Sequence, residues 1–207
     1  IPRQLKTSAS SLRAVRHRLC VVCSAFDMKR ILVLGDGDFS FSATLITALF
    51  KLPDFKSFSF VVTSFDDHDE VCSKYSETNS ILMGFSKFDN VVVKHGVDAT
   101  VSLAELLTAG KVSDFTDIIF NFPHLGVENA KLHSSLISHF LHHARQVLHT
   151  DGVVYLSLAF AQAERWGLET AVAAANFTSF DTAAFDLHNS WGSTYNIKRH
   201  HNGQSFV

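Results

Sequence analysis

Residues Ile31–Phe41 read ILVLGDGDFSF. Four apolar residues run into two glycines, each followed by an aspartate: Gly35-Asp36 and Gly37-Asp38. A buried strand, a tight turn and a helix start, in that order, set backbone N–H groups and carboxylates at the mouth of a parallel sheet. Nucleotide-like ligands bind in such places. Comparable residues end the later apolar runs: Asp66 and Asp67, Asp98 beside Ala99, and Asn121-Phe122-Pro123-His124. One aspartate at a strand end is ordinarily a helix cap. Acids or amides at four successive strand ends point to a ligand site.

The spacing narrows the ligand. The turn is G-x-G-x-x-S, with Ser40 where a dinucleotide fingerprint has a third small Gly or Ala. The acid after the second strand lies about thirty residues past Gly35, where that fingerprint expects about twenty. Both count against NAD, and no Gly-Lys-Ser/Thr follows to make a phosphate loop. S-adenosyl-L-methionine suits the inventory better. Its sulfonium and amino groups are cationic and attract carboxylates. Its ribose diol matches Asp66 or Asp67 as acceptors, and its adenine amino group matches Asp98.

The elements that must position these residues alternate along the chain. Strands are expected at Ile31–Leu34, Phe58–Thr63, Asn90–Lys94, Phe115–Phe120, Val153–Leu158 and Phe177–Leu187, with weaker candidates at Tyr195–Ile197 and Gln204–Val207. Helices are expected at Phe41–Phe50 (capped by Ser40 or Ser42), Asp69–Glu77, Val101–Ala109, Asn129–Leu148 and Ala161–Ala175. His149–Gly152 reads as the turn closing the longest helix. This alternation predicts an α/β fold with a doubly wound, mostly parallel sheet and right-handed crossovers. Continuous apolar strands such as Ile118-Ile119-Phe120 fit burial on both faces.

The totals set bounds. The chain has 207 residues, 46% of them hydrophobic, enough for one domain with its own core. Its apolar runs are far shorter than a membrane span, so it reads as soluble with no membrane partner. Three cysteines, Cys20, Cys23 and Cys72, are too few for a disulfide framework and fit a reducing compartment. Residues 1–26 carry Arg3, Lys6, Arg13, Arg16 and Arg18 and no acid. The rest sets all 20 acids against 13 of the 18 Lys and Arg, a net charge of −7 with histidine neutral. Residues 1–27 are therefore set apart from the fold as a basic tail, in keeping with a transit segment, upstream sequence or disorder. His139, His142 and His143 share a helix face, but no carboxylate joins them and Arg145 is near. They read as a solvated face, and no metal is expected.

The strings GDGDFSFS, TSFD, VDAT and IIFNFPHLG together resemble the eukaryotic rRNA uridine-N3-methyltransferase-like domain, from about Ile31 to at least Leu158. The resemblance implies a Rossmann-like, seven-stranded class I methyltransferase domain over residues 28–207. It would use S-adenosyl-L-methionine and act on N3 of a uridine in large-subunit ribosomal RNA. By position, Gly35, Asp36, Gly37, Asp38, Phe39 and Ser40 would line the methionine side. Asp66, with Asp67, would hold the ribose, and Asp98 with Ala99 the adenine. Asn121, Phe122, Pro123 and His124 would wall the cofactor from the base. The partner implied is RNA, in large-subunit rRNA or a pre-ribosome. The location implied is nuclear or nucleolar, or an organelle if residues 1–27 are a transit segment.

Uridine N3 lies on the pairing edge and carries an imide proton, so the base must be unpaired before it is reached. Pro123 would make the turn rigid, Asn121 would orient the base edge, Phe122 would stack on it, and His124 is the group able to take a proton near neutrality. Lys198 and Arg199, with Tyr195 upstream, form a basic and aromatic cluster suited to RNA. The alternative reading is a catalytically silent methyltransferase-like module that binds RNA or protein. The acidic body favours it, since such a body is not built to grip RNA by charge alone. An NAD-linked oxidoreductase is the third.

Overall fold

The computed structural model describes residues 13–15, 28–107, 115–177 and 180–184. Its strands are β1 (Arg13–Val15), β2 (Lys29–Leu34), β3 (Phe58–Thr63), β4 (Val91–Lys94), β5 (Phe115–Asn121), β6 (Leu148–Leu158) and β7 (Thr182–Ala184). Its helices are α1 (Ser40–Phe50), α2 (His68–Lys74), α3 (Thr78–Phe85), α4 (Ala130–Val147), α5 (Gln162–Arg165) and α6 (Leu168–Ala174). Five strands pair in parallel in the order β4-β3-β2-β5-β6. The chain runs outward from β2 to β4, then returns to pair β5 on the other side of β2. That reversal makes the crevice beyond β2 and β5 the topological switch point, where ligands of open α/β sheets bind.

Strand periodicity divides the core. Leu32 and Leu34 of β2 join Ile118, Phe120, Leu156 and Leu158 on one face, under Ile137, Phe140, Leu141 and Ala144 of α4 and Ala171 of α6. Ile31 and Val33 join Phe60, Val62 and Ile119 on the other, under Phe41, Leu45 and Ile46 of α1 and Phe85 of α3. Each strand is apolar on both sides because helices cover both. Helix α4 keeps the period of 3.6, burying Leu136, Ile137, Phe140, Leu141, Ala144 and Val147. The Asn129 side chain caps it, accepting from the N–H groups of Lys131 and Leu132.

Several sequence expectations are corrected here. His149–Gly152 lies within β6 as a bulge, where the five steps from Leu148 to Val153 oppose the two from Phe115 to Asp117 on β5. A Cβ on Gly152 would fall 2.8 Å from the Leu148 side chain, so the glycine serves this fold-back and not a turn between elements. The helix expected over Ala161–Ala175 breaks at Gly167, whose φ of +67° ends α5 and opens α6. Asp69–Glu77 ends at Lys74, and a separate helix, α3, follows from Thr78. Of Val101–Ala109, the described residues Val101–Leu107 form a single 3₁₀ turn, at Ala104–Leu106. Residues 13–15, set apart with the tail, pair antiparallel with both β6 and β7. Of Phe177–Leu187, strand pairing is described at Thr182–Ala184. Tyr195–Ile197 and Gln204–Val207 lie outside the described residues. No described helix is long and apolar enough to cross a membrane.

Phe140 is fully buried and meets Phe120 edge to face, with centroids 4.9 Å apart. Phe140→Ala is expected to cost about 3–5 kcal/mol through lost burial and an unfilled cavity. Urea unfolding of parent and variant measures it, and a loss below about 1 kcal/mol would contradict the packing described.

Candidate functional site

The site begins where β2 ends. Gly35 turns at φ +61°, and a Cβ there would lie 2.9 Å from Cε2 of Phe120 on β5. Only glycine lets the two strand ends approach so closely in that backbone region. The N–H of Asp36 donates to the Thr63 carbonyl at the end of β3 (2.9 Å), and the N–H of Gly35 to the Thr63 hydroxyl (3.4 Å). Phe39 then adopts φ +61°, and its buried ring meets Phe85 and His95 edge on.

Neither Ser40 nor Ser42 caps α1 as expected. The caps are the aspartates of the turn. Asp36 Oδ2 accepts the N–H of Ser42 at 2.7 Å. Asp38 Oδ1 accepts both the N–H (3.0 Å) and the hydroxyl (2.6 Å) of Ser40. A helix start normally offers its N–H groups to an anion. Here two of them are already satisfied by carboxylates, and the turn carries negative charge instead of attracting it.

Asp36 is buried, and burial pushes its carboxyl from 3.8 up to about 7, opposed by the bonds from Ser42 and reinforced by neighbouring Asp38. Tyr75 reports how these groups converge. Its hydroxyl would stand 3.0 Å from a Cβ on Gly37. Burial raises its pKa; Lys74 opposes the rise, and Asp66, Asp38 and Asp36 add to it.

At the next strand ends the two adjacent aspartates divide. Asp66 is buried and ion-paired to Lys74, whose ammonium also reaches Glu70 at 3.3 Å. Asp67 is exposed and caps α2 through the N–H of Glu70 (2.8 Å). Ser64 donates to the Asp66 carbonyl and bonds Nδ1 of His95 at 2.7 Å. Burial and nearby His68 hold His95 below the ordinary histidine range, against the opposing pull of Asp67. The β4 loop is tied to the β3 loop by Gly96 N–H to Asp66 O and Val97 N–H to Ser64 O. Asp98 closes a local turn with the N–H (2.8 Å) and hydroxyl (2.6 Å) of Thr100, and Ala99 packs into the core.

Beyond β5, Asn121 Oδ1 accepts the Ser157 hydroxyl at 2.7 Å, and the Phe122 N–H donates to the Ser157 carbonyl at 2.9 Å. Phe122 is held at φ +49°, a left-handed position unusual for a bulky residue. Pro123 is buried. His124 accepts the Gly126 N–H on Nδ1 at 2.9 Å and faces Glu128 at 3.7 Å through Nε2. The five strand ends are therefore joined: the β4 and β3 loops by backbone bonds, the β3 and β2 loops through Thr63, β2 and β5 through Gly35 and Phe120, and β5 and β6 through Ser157. Tyr195, Lys198 and Arg199 lie outside the described residues. Among the described residues no group of three His, Cys, Asp or Glu side chains could hold a metal.

Several partners were not anticipated: Lys74, Tyr75, Ser157, His133 and Trp166. Of these only Lys74 left a local signal, its spacing of four from Glu70 on a short helix. Together these groups gather carboxyl side chains at the carboxyl ends of β2, β3 and β4, the end of an open α/β sheet at which ligands bind.

Asp36 also makes stability depend on pH. Its carboxyl is harder to ionise folded than unfolded, so its contribution is full below about pH 4 and is lost as pH rises through about 7. A difference of about three pKa units corresponds to about 4 kcal/mol. Asp36→Asn keeps an acceptor for the Ser42 N–H and removes the titration. Urea unfolding at several pH values is expected to show a fall in stability between pH 4 and 8 for the parent and a flatter curve for the variant. Identical slopes would mean that the carboxyl titrates normally.

The chain is similar to several known proteins. It is 32% identical over 178 residues to heavy metal-associated isoprenylated plant protein 41 of Arabidopsis thaliana, covering 82% of this chain and 33% of that protein. It is 28% identical over 138 residues to an uncharacterized Arabidopsis thaliana protein, covering 62% of each. The chain thus spans less than two thirds of the length of these relatives. Human methyltransferase-like protein 13, solved in complex with SAH, superposes with a TM-score of 0.47 at 18% identity, over 80% of this chain and 74% of that one. Residues 32–199, running from β2 through the Asn121–His124 segment and beyond, match the family described as rRNA (uridine-N3-)-methyltransferase BTM5-like, and the chain belongs to this BMT5-like family.

Proposed function

We propose that this chain is an S-adenosyl-L-methionine-dependent methyltransferase whose acceptor is N3 of a uridine in ribosomal RNA. One observation carries the choice of cofactor. The N–H groups of Ser40 and Ser42, which would cradle a phosphate, are taken by Asp38 and Asp36. The turn so built suits a cation without phosphates and disfavours a dinucleotide. The description of the family supports the methyl acceptor.

The residues present fit that cofactor. When bound, it supplies a methyl group already activated on a sulfonium. Asp36 and Asp38 would face its cationic methionine end, and a cation there would favour the ionised form of Asp36. Asp66 would accept from the ribose hydroxyls while Lys74 keeps its charge balanced, with Asp67 beside it as the cap of α2. Asp98 and Ala99 would lie along the adenine. Gly35, Gly37, Phe39 and Ser40 give the turn its close fit, and Asn121, Phe122, Pro123 and His124 would separate this pocket from the base. Much of the rate would come from holding the acceptor nitrogen in line, not from activating the donor. The partner is RNA of the large ribosomal subunit or its precursor, with Tyr195, Lys198 and Arg199 as candidate contacts. The corresponding location is the nucleolus.

Calorimetry on the full chain is expected to show S-adenosyl-L-methionine binding and no NAD binding. Asp66→Ala is expected to weaken the former about tenfold or more, since a bond to a charged acceptor is worth about 1.5–3 kcal/mol. Incubation with ribosomal RNA and labelled cofactor is expected to yield 3-methyluridine after nucleoside digestion. Cofactor binding without methyl transfer to any RNA would favour the silent binding module, and tighter binding of NAD would overturn the cofactor reading.

A further inference from the structure

The segment after β5 is held by a stack of three rings. Trp166 and His133 are parallel, with centroids 4.2 Å apart and planes 10° apart. His124 lies 4.5 Å from His133 at 48°, and 6.4 Å from Trp166. The middle ring, His133, is 1% exposed, and both its nitrogens bond the segment that carries His124. Its Nδ1 lies 2.8 Å from the Asn129 carbonyl, and its Nε2 lies 3.2 Å from the Leu125 N–H. A carbonyl can only accept and an N–H can only donate, so the proton sits on Nδ1 and the lone pair on Nε2.

His124 shows the opposite pattern. Its Nδ1 accepts the Gly126 N–H at 2.9 Å, so that nitrogen carries the lone pair and Nε2 carries the proton. The atom with which a neutral imidazole would take up a proton is therefore engaged by the backbone. Nε2 instead faces Glu128, whose other carboxylate oxygen lies 3.5 Å from Nη2 of Arg165.

Resting on the methyltransferase reading above, we propose that His124 serves as a hydrogen-bond donor through Nε2–H to a carbonyl oxygen beside the reacting nitrogen, and that His133 is the positioning residue that fixes it in that tautomer. This replaces the proton-accepting role expected from the sequence. The N3 atom of uracil lies between two carbonyls. In the transfer the N3–CH3 bond forms as the S–CH3 bond breaks, its electrons staying on sulfur. The N3–H bonding pair stays on the ring and its proton passes to water. Charge that builds on the imide spreads to the flanking oxygens, and a fixed donor there stabilises the transition state. Nε2–H would exchange Glu128 for that oxygen, with Arg165 retaining the released carboxylate.

Two measurements test this. The first needs no substrate: long-range ¹H–¹⁵N spectra of the histidine rings in the full chain. They are expected to show His124 as the Nε2–H tautomer and His133 as the Nδ1–H tautomer. His133→Phe, which keeps a ring on Trp166 but bonds neither Leu125 nor Asn129, is expected to turn the His124 signals into a tautomer mixture. A parent His124 protonated on Nδ1 overturns the proposal whether or not the chain methylates RNA. The second is methyl transfer. His124→Gln, whose amide can donate from a similar place, is expected to stay within about tenfold of the parent, and His124→Ala to lose roughly 100-fold. A Gln variant as inactive as the Ala variant, together with loss of the acid limb of the parent's pH–rate profile, would make His124 a base. A parent without methyl transfer would count against the function reading, while the ring spectra still decide the tautomers.

Discussion

The bond between the buried Asp36 carboxylate and the Ser42 N–H is the constraint on which the site depends. It turns the chain from β2 into α1, closes a helix end that would otherwise stay open, and fixes a carboxyl at the sheet's switch point. Burial of that group is unfavourable in the free protein. Gly35 lies against Phe120 and the Asp36 N–H is tied to Thr63, and these two contacts hold the turn in place around the carboxyl. In the proposed function this carboxyl would face the cationic end of the cofactor.

The central strands were legible because their apolar runs are continuous. A strand covered on both faces shows no polar alternation, and β2 and β5 are read by that rule alone. Helix α4 was legible from Asn129 and a regular apolar stripe. The caps of α1 were not. Ser40 and Ser42 are better helix-start residues by type, but the turn places Asp36 and Asp38 where their oxygens reach the N–H groups first. The break at Gly167 was missed because the apolar spacing continues across it, while burial of Trp166 against His133 sets the bend. The role of Gly152 depends on where Leu148 packs, which no local pattern records.

At the site, the residues that end strands were visible as a set, since oxygen-bearing side chains there have little to do with core packing. What each one bonds was not visible. Lys74 lies one helix away from Asp66, Ser157 is 36 residues from Asn121, and Trp166 meets His124 only through the packing of α4. Such partners are set by tertiary distance, which a single sequence does not encode in any short window. The same gap hides the bond from the Gly126 N–H to His124 Nδ1, which forms two residues away through a turn with no distinctive spacing.

Phe122 and Ala161 stand just past the ends of β5 and β6, two strands paired side by side, and both hold a backbone shape that glycine adopts more cheaply. The loops that follow β5 and β6 are therefore each strained at one residue. A chain selected only for ruggedness would relax there, and glycine at either place would loosen the loop while easing the whole domain. The ring of Phe122 and the methyl group of Ala161 thus hold these loops to one shape at some cost in stability.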